Sequence, residues 1–234
     1  DSEIASLEIA GPGFLNFRVR ADFFAGKAAA MLTDERLGVA LVDKPKTLVI
    51  DFSAPNVAKP MHVGHIRSTI IGDTLGRLAR FLGHKVITDN HIGDWGKPMA
   101  LIIAWIERLH PELPYFNDNF NADTPVDFEI NPSELNTSYP AASSFAKENP
   151  EFQAHAQDIK AKFQNGHAGY FALYEKFLKI SMEMMQETVS RLNILPFDYD
   201  LGERNAAKYL DDVEKILRAK DLISESDGAQ VIVV

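Results

Sequence analysis

The stretch TLVIDFSAPNVAKPMHVGHIRSTIIGD, residues 47–73, decides the fold because it joins the signals of a strand, a loop and a helix. Leu48, Val49 and Ile50 form a short apolar run that favours a buried strand. The segment that follows is rich in turn residues, and apolar residues then recur at helical spacing: Ile66, Ile70, Ile71, Leu75, Leu78 and Leu82. We therefore predict a strand, a loop and a helix with one apolar face.

Two histidines, His62 and His65, lie on either side of the predicted helix start. A helix N-terminus leaves backbone N–H groups unpaired and carries a partial positive charge, so it is a natural phosphate site. Gly64 lets the backbone approach a ligand closely. Two imidazoles on one helical turn can donate hydrogen bonds to a phosphoryl group as its charge shifts. The pattern predicts a loop that binds phosphate and stabilises a transition state.

Other interpretations of these histidines remain open from the residues alone. A single histidine is more often a surface or hydrogen-bonded residue than a catalyst. His62, His65, His91 and Asp94 could also supply ligands to zinc. The zinc-hydrolase pattern H-E-x-x-H does not occur in the sequence, and neither does a glycine-rich phosphate-binding fingerprint.

Composition bounds the class of protein. The chain has 234 residues, 46% of them hydrophobic, which is enough for one large domain or one domain and part of another. The net charge of −9 argues against a general nucleic-acid binder. Residues 111–160 concentrate the acidity, with 2 Lys and Arg against 9 Asp and Glu. The sequence contains no cysteine, no apolar run of membrane-spanning length and no signal peptide, so we expect a cytoplasmic protein without a membrane partner.

The segment His62-Val63-Gly64-His65 resembles the HIGH signature of class I aminoacyl-tRNA synthetases. The wider sequences of residues 53–72 and 90–97, which include NHIGDWGK, closely resemble the arginyl-tRNA synthetase family. This resemblance implies an α/β fold with a Rossmann-like parallel sheet, in which the HIGH region follows the first strand and binds ATP. It also implies arginine, ATP and tRNA as partners, with Mg²⁺ accompanying ATP.

The resemblance carries roles to individual positions. It implies that His62 and His65 are catalytic, and that seven residues bind ATP: Pro55, Lys59, His62, Gly64, His65, Gly93 and Asp94. It assigns the arginine site to Ser53, Asn56 and Glu203, and it assigns no metal ligands. A carboxylate suits a planar guanidinium because it accepts two hydrogen bonds. Glu203 is also explained as a helix-start residue that the helix dipole favours.

The chain divides into five predicted parts. Residues 1–25 read as two strands around Gly11-Pro12-Gly13, and they resemble the tail of the family's N-terminal tRNA-contacting domain, an α+β remnant. Residues 26–46 are a connecting helix, ended near Gly38, and a linker. Residues 47–110 begin the catalytic domain, 111–160 are an acidic insertion that we expect to be helical or loop-rich, and 161–234 continue the catalytic domain.

The last part of the sequence predicts four elements. Apolar residues from Tyr170 to Leu192 recur at helical spacing and indicate a long helix. Within it, Lys179-Ile-Ser-Met182 weakly resembles the second class I signature, KMSK, but its position inside a helix argues against that role. A strand over residues 194–200, a helix from Ala206 to Arg218 and a hairpin around Asp227-Gly228 follow.

We therefore expect an arginine–tRNA ligase fragment that covers the N-terminal side and the first catalytic half. KMSK and a second nucleotide-binding half do not appear in residues 1–234, so we expect these residues alone to be inactive. One alternative is another HIGH-type nucleotidylyl transferase, and the other is a synthetase-like binding protein without catalysis. We expect that most contacts with tRNA are made by parts of the enzyme outside this chain.

Overall fold

A computed structural model describes residues 3–123, 125–226 and 229–232. Its contacts divide the chain into two compact units, Asp1–Leu48 with Arg77–Lys85, and Val49–Gly76 with Val86–Val234. The five functional parts expected from the sequence are a different division, and they stay a prediction.

The first unit contains the predicted N-terminal hairpin. Strands β1 (Ile4–Ala10) and β2 (Phe14–Val19) pair antiparallel. Helix α1 (Ala21–Leu32) follows. We expected this helix to continue to Gly38, and that was wrong. The Asp34 carboxylate accepts the N–H groups of Arg36 and Gly38 at 2.9 and 2.7 Å, so a local turn replaces further helix.

The predicted strand, loop and helix are present as β3 (Thr47–Asp51) and α2 (Val63–Phe81), and strand β4 (Lys85–Asp89) follows. β3 and β4 are neighbours in one sheet. Lys85 N–H donates to Lys46 O, and Phe52 N–H donates to Asp89 O. The partners keep the same order along both strands, so the strands run parallel. The α/β class is confirmed.

Helix α2 buries a different face from the one its sequence suggests. Thr69, Gly72 and Gly76 are buried, whereas Ile71 and Leu75 are 53% and 52% exposed. A Cβ on Gly72 would collide with the Phe52 ring. Small residues therefore allow α2 to approach the β3 end closely, and the larger apolar residues remain on the surface.

The second unit is built mainly from helices. In chain order they are α3 (Lys97–Leu109), a 3-10 turn (Pro114–Phe116), α4 (Pro132–Glu148), α5 (Pro150–Gln164) and α6 (Ala168–Arg191). Helix α3 packs against α4, α5 and α6. Its residues Ile102 and Ile103 are fully buried, and burying each such side chain contributes about 1.5–3 kcal/mol.

The insertion over residues 111–160 was expected to be helical or loop-rich, and its second part is helical, because α4 and most of α5 lie there. The buried positions of α4 are Leu135, Ser138, Ala142 and Ala146. They follow helical spacing, but three of the four are small, so the apolar stripe is weak. An Asn131–Glu134 capping box fixes the start of α4.

The C-terminal part differs from the prediction in two places. Residues 194–200 form no strand within the described residues, but Tyr199 and Gly202 make single parallel bridges to Asp89 and Ile92. Tyr199 N–H donates to Thr88 O and Asn90 N–H donates to Tyr199 O, and the Asp198 carboxylate accepts the N–H and hydroxyl of Thr88 in addition.

The helix expected from Ala206 to Arg218 is interrupted, so that α7 (Glu203–Ala207) and α8 (Leu210–Ala219) are separate. Strands β5 (Ser224–Ser226) and β6 (Ala229–Val231) pair antiparallel. The predicted turn at Asp227-Gly228 lies outside the described residues. Among the helices that the structure describes, none has the length and hydropathy needed to cross a membrane.

Candidate active site

The loop between β3 and α2 has an unusual backbone. Ser53, Ala54 and Ala58 adopt φ values of 80°, 48° and 58°, in the left-handed region that L-residues rarely occupy. Each such residue stores strain of about 1–3 kcal/mol, and such strain is often found at functional sites. The surrounding structure must therefore impose the shape of this loop.

Hydrogen bonds from two directions hold the loop in place. Val57 N–H donates to Gly93 O at 3.0 Å. Ala58 N–H donates to the Ser181 hydroxyl at 2.8 Å, and that hydroxyl donates to Phe177 O at 2.7 Å. Helix α6 and the turn after β4 thus fix the segment that leads to the histidines.

The rings of His62 and His65 stack on each other, with centroids 3.9 Å apart and planes inclined by 27°. The Gly64 N–H donates to His62 Nδ1 at 3.2 Å, and the His62 N–H donates to His65 Nδ1 at 3.4 Å. A neutral imidazole whose Nδ1 accepts a hydrogen bond carries its proton on Nε2. Both rings therefore offer an Nε2–H donor at the start of α2.

Burial lowers the pKa of His65, and electrostatic interactions with His62 and Lys59 lower it further. His65 is therefore neutral near pH 7 and keeps the tautomer that its Nδ1 contact selects. Gly64 has a further role that the sequence did not reveal. A Cβ at this position would lie 3.0 Å from Cε1 of His62, so glycine leaves room for that ring.

Ser53, a predicted arginine ligand, points into the fold. It is 3% exposed, and its hydroxyl is bonded to the Thr69 hydroxyl at 2.9 Å. The same Thr69 hydroxyl donates to His65 O at 2.7 Å. This geometry makes Ser53 a support for the first turn of α2 and argues against a direct contact with arginine.

The turn after β4 lies against the loop, as the rule that parallel strand ends meet at one edge predicts. Asn56 and Gly93 form a parallel bridge, and Gly93 N–H donates to Pro55 O at 3.0 Å. A Cβ on Gly93 would lie 2.5 Å from Asn56 Oδ1. Glycine therefore leaves the space that the Asn56 side chain occupies.

A cavity of about 90 Å³ brings together residues from three parts of the chain, with Asn56, Gly93, Asp94 and Glu203 in its wall. Glu203 is exposed and begins α7. Its carboxylate accepts the Trp95 N–H at 3.4 Å. Two of the three predicted arginine ligands thus share one cavity.

Asp94, a predicted ATP ligand, is only 4% exposed and is already hydrogen-bonded within the fold. The Tyr174 hydroxyl donates to Asp94 Oδ2 at 2.7 Å, and the Arg204 N–H donates to Oδ1 at 3.1 Å. This arrangement argues against a direct contact between Asp94 and ATP.

Lys59 and Pro55 lie on a second, separate cavity of about 120 Å³, which Asn56 and Ser181 also line. The Lys59 ammonium lies 3.9 Å from the centre of the Tyr139 ring. Lys59 therefore makes a cation–π contact here, while its charge still influences His65.

The zinc interpretation finds no support in the described residues, which contain no group of three His, Cys, Asp or Glu placed to hold a metal ion. Sequence reasoning also missed residues of the site. Tyr174 belongs to the apolar stripe of α6, and that pattern indicates packing but gives no sign of its hydrogen bond to Asp94. Ser181 lies in the segment Lys179–Met182, which we call the KISM segment. Its role could not be predicted, because a hydroxyl that accepts a hydrogen bond from a distant backbone N–H has no sequence signal.

Comparison with known families gives a match over most of the chain. A family model described as tRNA synthetases class I (R), catalytic domain, matches residues 27–234. An arginine–tRNA ligase of Alkaliphilus oremlandii is 40% identical over 97% of this chain and 38% of its own length. An arginine–tRNA ligase of Francisella tularensis subsp. holarctica is 39% identical over 97% of the chain and 39% of its own length. The chain thus spans under two fifths of the length of these relatives.

Solved structures show the same fold. The crystal structure of arginyl-tRNA synthetase from Plasmodium falciparum has a TM-score of 0.64 and 24% identity, over 100% of this chain and 39% of that one. Thermus thermophilus arginyl-tRNA synthetase has a TM-score of 0.61 and 17% identity, over 98% of this chain and 36% of that one.

Proposed function

Because the chain belongs to the family of class I tRNA synthetase catalytic domains for arginine, we propose that it forms part of an arginine–tRNA ligase. The complete enzyme would activate arginine with ATP to arginyl-adenylate and then transfer the arginyl group to tRNA. The chain would supply the HIGH loop and part of the arginine pocket.

The observation that carries this proposal is the cavity shared by Asn56 and Glu203. Glu203 offers a carboxylate, the group that best matches a guanidinium because it accepts two hydrogen bonds in one plane. Asn56 offers an amide donor and acceptor for the polar end of the amino acid. We place the arginine side chain toward Glu203 and its backbone end toward Asn56.

On the ATP side, we propose that the Nε2–H groups of His62 and His65 bind the phosphates. An oxygen of the arginine carboxylate attacks the α-phosphorus of ATP, a new P–O bond forms, and the bond to the pyrophosphate oxygen breaks. Hydrogen-bond donors fixed before the reaction stabilise the charge that shifts to the phosphate oxygens. We keep Gly64 and Gly93 as proposed ATP-binding residues, and we propose that Ser53 and Asp94 act as supports.

We also propose that ATP is used as its Mg²⁺ complex, as the pyrophosphate leaving group favours. The described residues offer no three-ligand site for the ion, so no step is assigned to it here. The transfer step would require tRNA contacts that we assign mainly to segments beyond residues 1–234. A cytoplasmic location fits a cysteine-free protein that acts on tRNA.

The test is arginine-dependent exchange of pyrophosphate into ATP, with and without tRNA. The protein for this test is the longest natural polypeptide that contains residues 1–234. Exchange that requires arginine would support the proposal. If a folded polypeptide of this kind gives no exchange under either condition, the catalytic proposal is wrong.

The two alternatives fare differently. Another HIGH-type nucleotidylyl transferase is not supported, because the family match covers residues 27–234. A binding protein without catalysis is the outcome that the exchange assay would reveal if arginine binds but pyrophosphate does not exchange.

A further inference from the structure

We propose that Asp94, held by Tyr174, is the positioning residue for Glu203 in the arginine site. This inference rests on the proposed function and deepens it. Asp94 would not contact arginine or ATP. It would instead fix the short helix α7, whose first residue is Glu203.

The first step is how α7 is attached to the turn after β4. Ile92 N–H donates to Leu201 O, and Glu203 N–H donates to Ile92 O, both at 3.0 Å. Asp94 then accepts the Arg204 N–H at 3.1 Å. The turn therefore binds the backbone on both sides of the Glu203 side chain.

The second step is the chemistry of a helix start. The first N–H groups of a helix lack partners within it, and a carboxylate is a preferred acceptor for them. Helix α7 begins after Gly202, which has no side chain to cap the helix. Asp94 supplies this cap from a distant part of the chain. A Cβ on Gly202 would collide with the Asp94 carboxylate, so the close approach requires glycine.

The third step is the orientation of Asp94 itself. Its other oxygen accepts the Tyr174 hydroxyl at 2.7 Å, and Tyr174 is 1% exposed. Burial raises the pKa of Tyr174, and the hydrogen bond to Asp94 raises it further, so the hydroxyl remains a donor throughout the physiological range. Asp94 is thus held between a side-chain donor and a backbone donor.

The Arg204 backbone N–H binds Asp94, but the Arg204 side chain does not pair with the Glu203 carboxylate. Its guanidinium donates to Glu175 at 2.8 Å and lies 4.5 Å from the centre of the Phe171 ring. The Glu203 carboxylate instead faces the cavity with Asn56 and accepts the Trp95 N–H. The Glu203 carboxylate therefore faces the cavity, whereas the Asp94 carboxylate accepts its hydrogen bonds inside the fold.

The test compares Tyr174→Phe with Tyr170→Phe, in the longest natural polypeptide that contains the chain. Tyr170 is 2% exposed and lies one turn earlier on α6, where its ring stacks against His167. Tyr174→Phe removes the donor to Asp94, and we expect the KM for arginine to rise about tenfold while the KM for ATP stays within about twofold. Tyr170→Phe should leave both constants near wild type. Equal arginine KM values in the two variants would overturn the proposal.

Asp94→Asn separates positioning from direct binding of a charged substrate. The asparagine oxygen can accept the Arg204 N–H, and its amide can donate to the Tyr174 oxygen, so both hydrogen bonds survive without the charge. We expect an arginine KM within about threefold of wild type. A loss of arginine or ATP binding larger than that of Tyr174→Phe would show that the carboxylate charge acts on substrate, and would overturn the positioning role.

Hydrogen exchange without substrate makes the inference independent of activity. We expect the amides of residues 203–205 to exchange about tenfold faster in Tyr174→Phe than in Tyr170→Phe. Unchanged exchange in that segment would overturn the inference even if wild type binds arginine. If exchange is faster in Tyr174→Phe but the wild-type protein does not bind arginine, the inference that Asp94 holds α7 stands and the proposed function is wrong.

Discussion

His62 and His65 are linked through their backbone as well as their rings, because Nδ1 of His65 accepts the N–H of His62 and the rings stack 3.9 Å apart. The backbone N–H groups of His62 and Gly64 therefore select the tautomers of His65 and His62, and stacking holds the two rings together. The arrangement presents two Nε2–H donors together, and the first two predictions follow from it.

His62→Ala should lower arginine-dependent ATP–pyrophosphate exchange about a hundredfold, because it removes one fixed donor to the phosphates. The side chain is exposed, so the free energy of unfolding should change by less than about 0.5 kcal/mol. Exchange rates and urea unfolding check both parts. His155→Ala is the matched control, since His155 is also exposed and pairs with Glu107 on α3. A large loss of stability in His62→Ala would indicate a structural role instead.

The lowered pKa of His65 predicts a pH dependence of stability. The unfolded chain binds a proton at His65 near the ordinary pKa of 6.5, whereas the folded chain binds it only at lower pH. The stability contributed by neutral His65 is therefore complete above pH 6.5 and is lost as the pH falls below it. His65→Asn keeps an acceptor for the His62 N–H but does not titrate. Tm measured from pH 7.5 to 5.5 should fall more in wild type than in this variant, and parallel curves would contradict the assignment.

Gly93→Ala should disturb the arginine site with little effect on the rest of the fold. The new Cβ would lie 2.5 Å from Asn56 Oδ1, so the asparagine must move. We expect the KM for arginine to rise about tenfold, since one misplaced polar contact costs about 1–1.5 kcal/mol. Gly26→Ala is the control, because nothing lies within 4 Å of its Cβ position in α1, and it should leave KM unchanged. An unchanged arginine KM in Gly93→Ala would place the substrate elsewhere.

The sequence was informative where chemistry depends on spacing or on strand ends. The separation of His62 and His65 predicts that they share one helical turn, and the rule for parallel strand ends predicts that the turn with Gly93 lies against the loop before them. The sequence was less informative about which polar side chains form hydrogen bonds within the protein and which remain free to bind a ligand. Nothing in the letters distinguishes Asp94, whose oxygens are both bonded to the protein, from Glu203, which faces a cavity.

The prediction of secondary structure from sequence was limited for similar physical reasons. Helix α4 buries Ser138, Ala142 and Ala146, and small side chains make a weak apolar stripe in a polar, acidic segment. Helix α1 ended early because the Asp34 side chain offered its neighbours a competing set of hydrogen bonds. In both places the outcome depends on contacts that periodicity does not record.

The KISM segment allows a last prediction, which separates an anchor from a phosphate contact. Ser181 holds the N–H of Ala58, a residue that is 1% exposed and has a left-handed backbone. Ser181→Ala would leave that buried N–H without its acceptor, at a cost of about 1–3 kcal/mol, and the strained loop should relax.

In Ser181→Ala, the amides of residues 57–59 should exchange hydrogen faster and the rate of ATP–pyrophosphate exchange should fall. Ser181→Thr should return both rates to wild type because it keeps the hydroxyl. Ser190→Ala, at an exposed position of the same helix, is the control. Lys179→Ala should leave the KM for ATP unchanged, because Lys179 is exposed in the middle of α6. If Lys179→Ala raises the KM for ATP while Ser181→Ala has no effect, the segment contacts phosphate and does not anchor the loop.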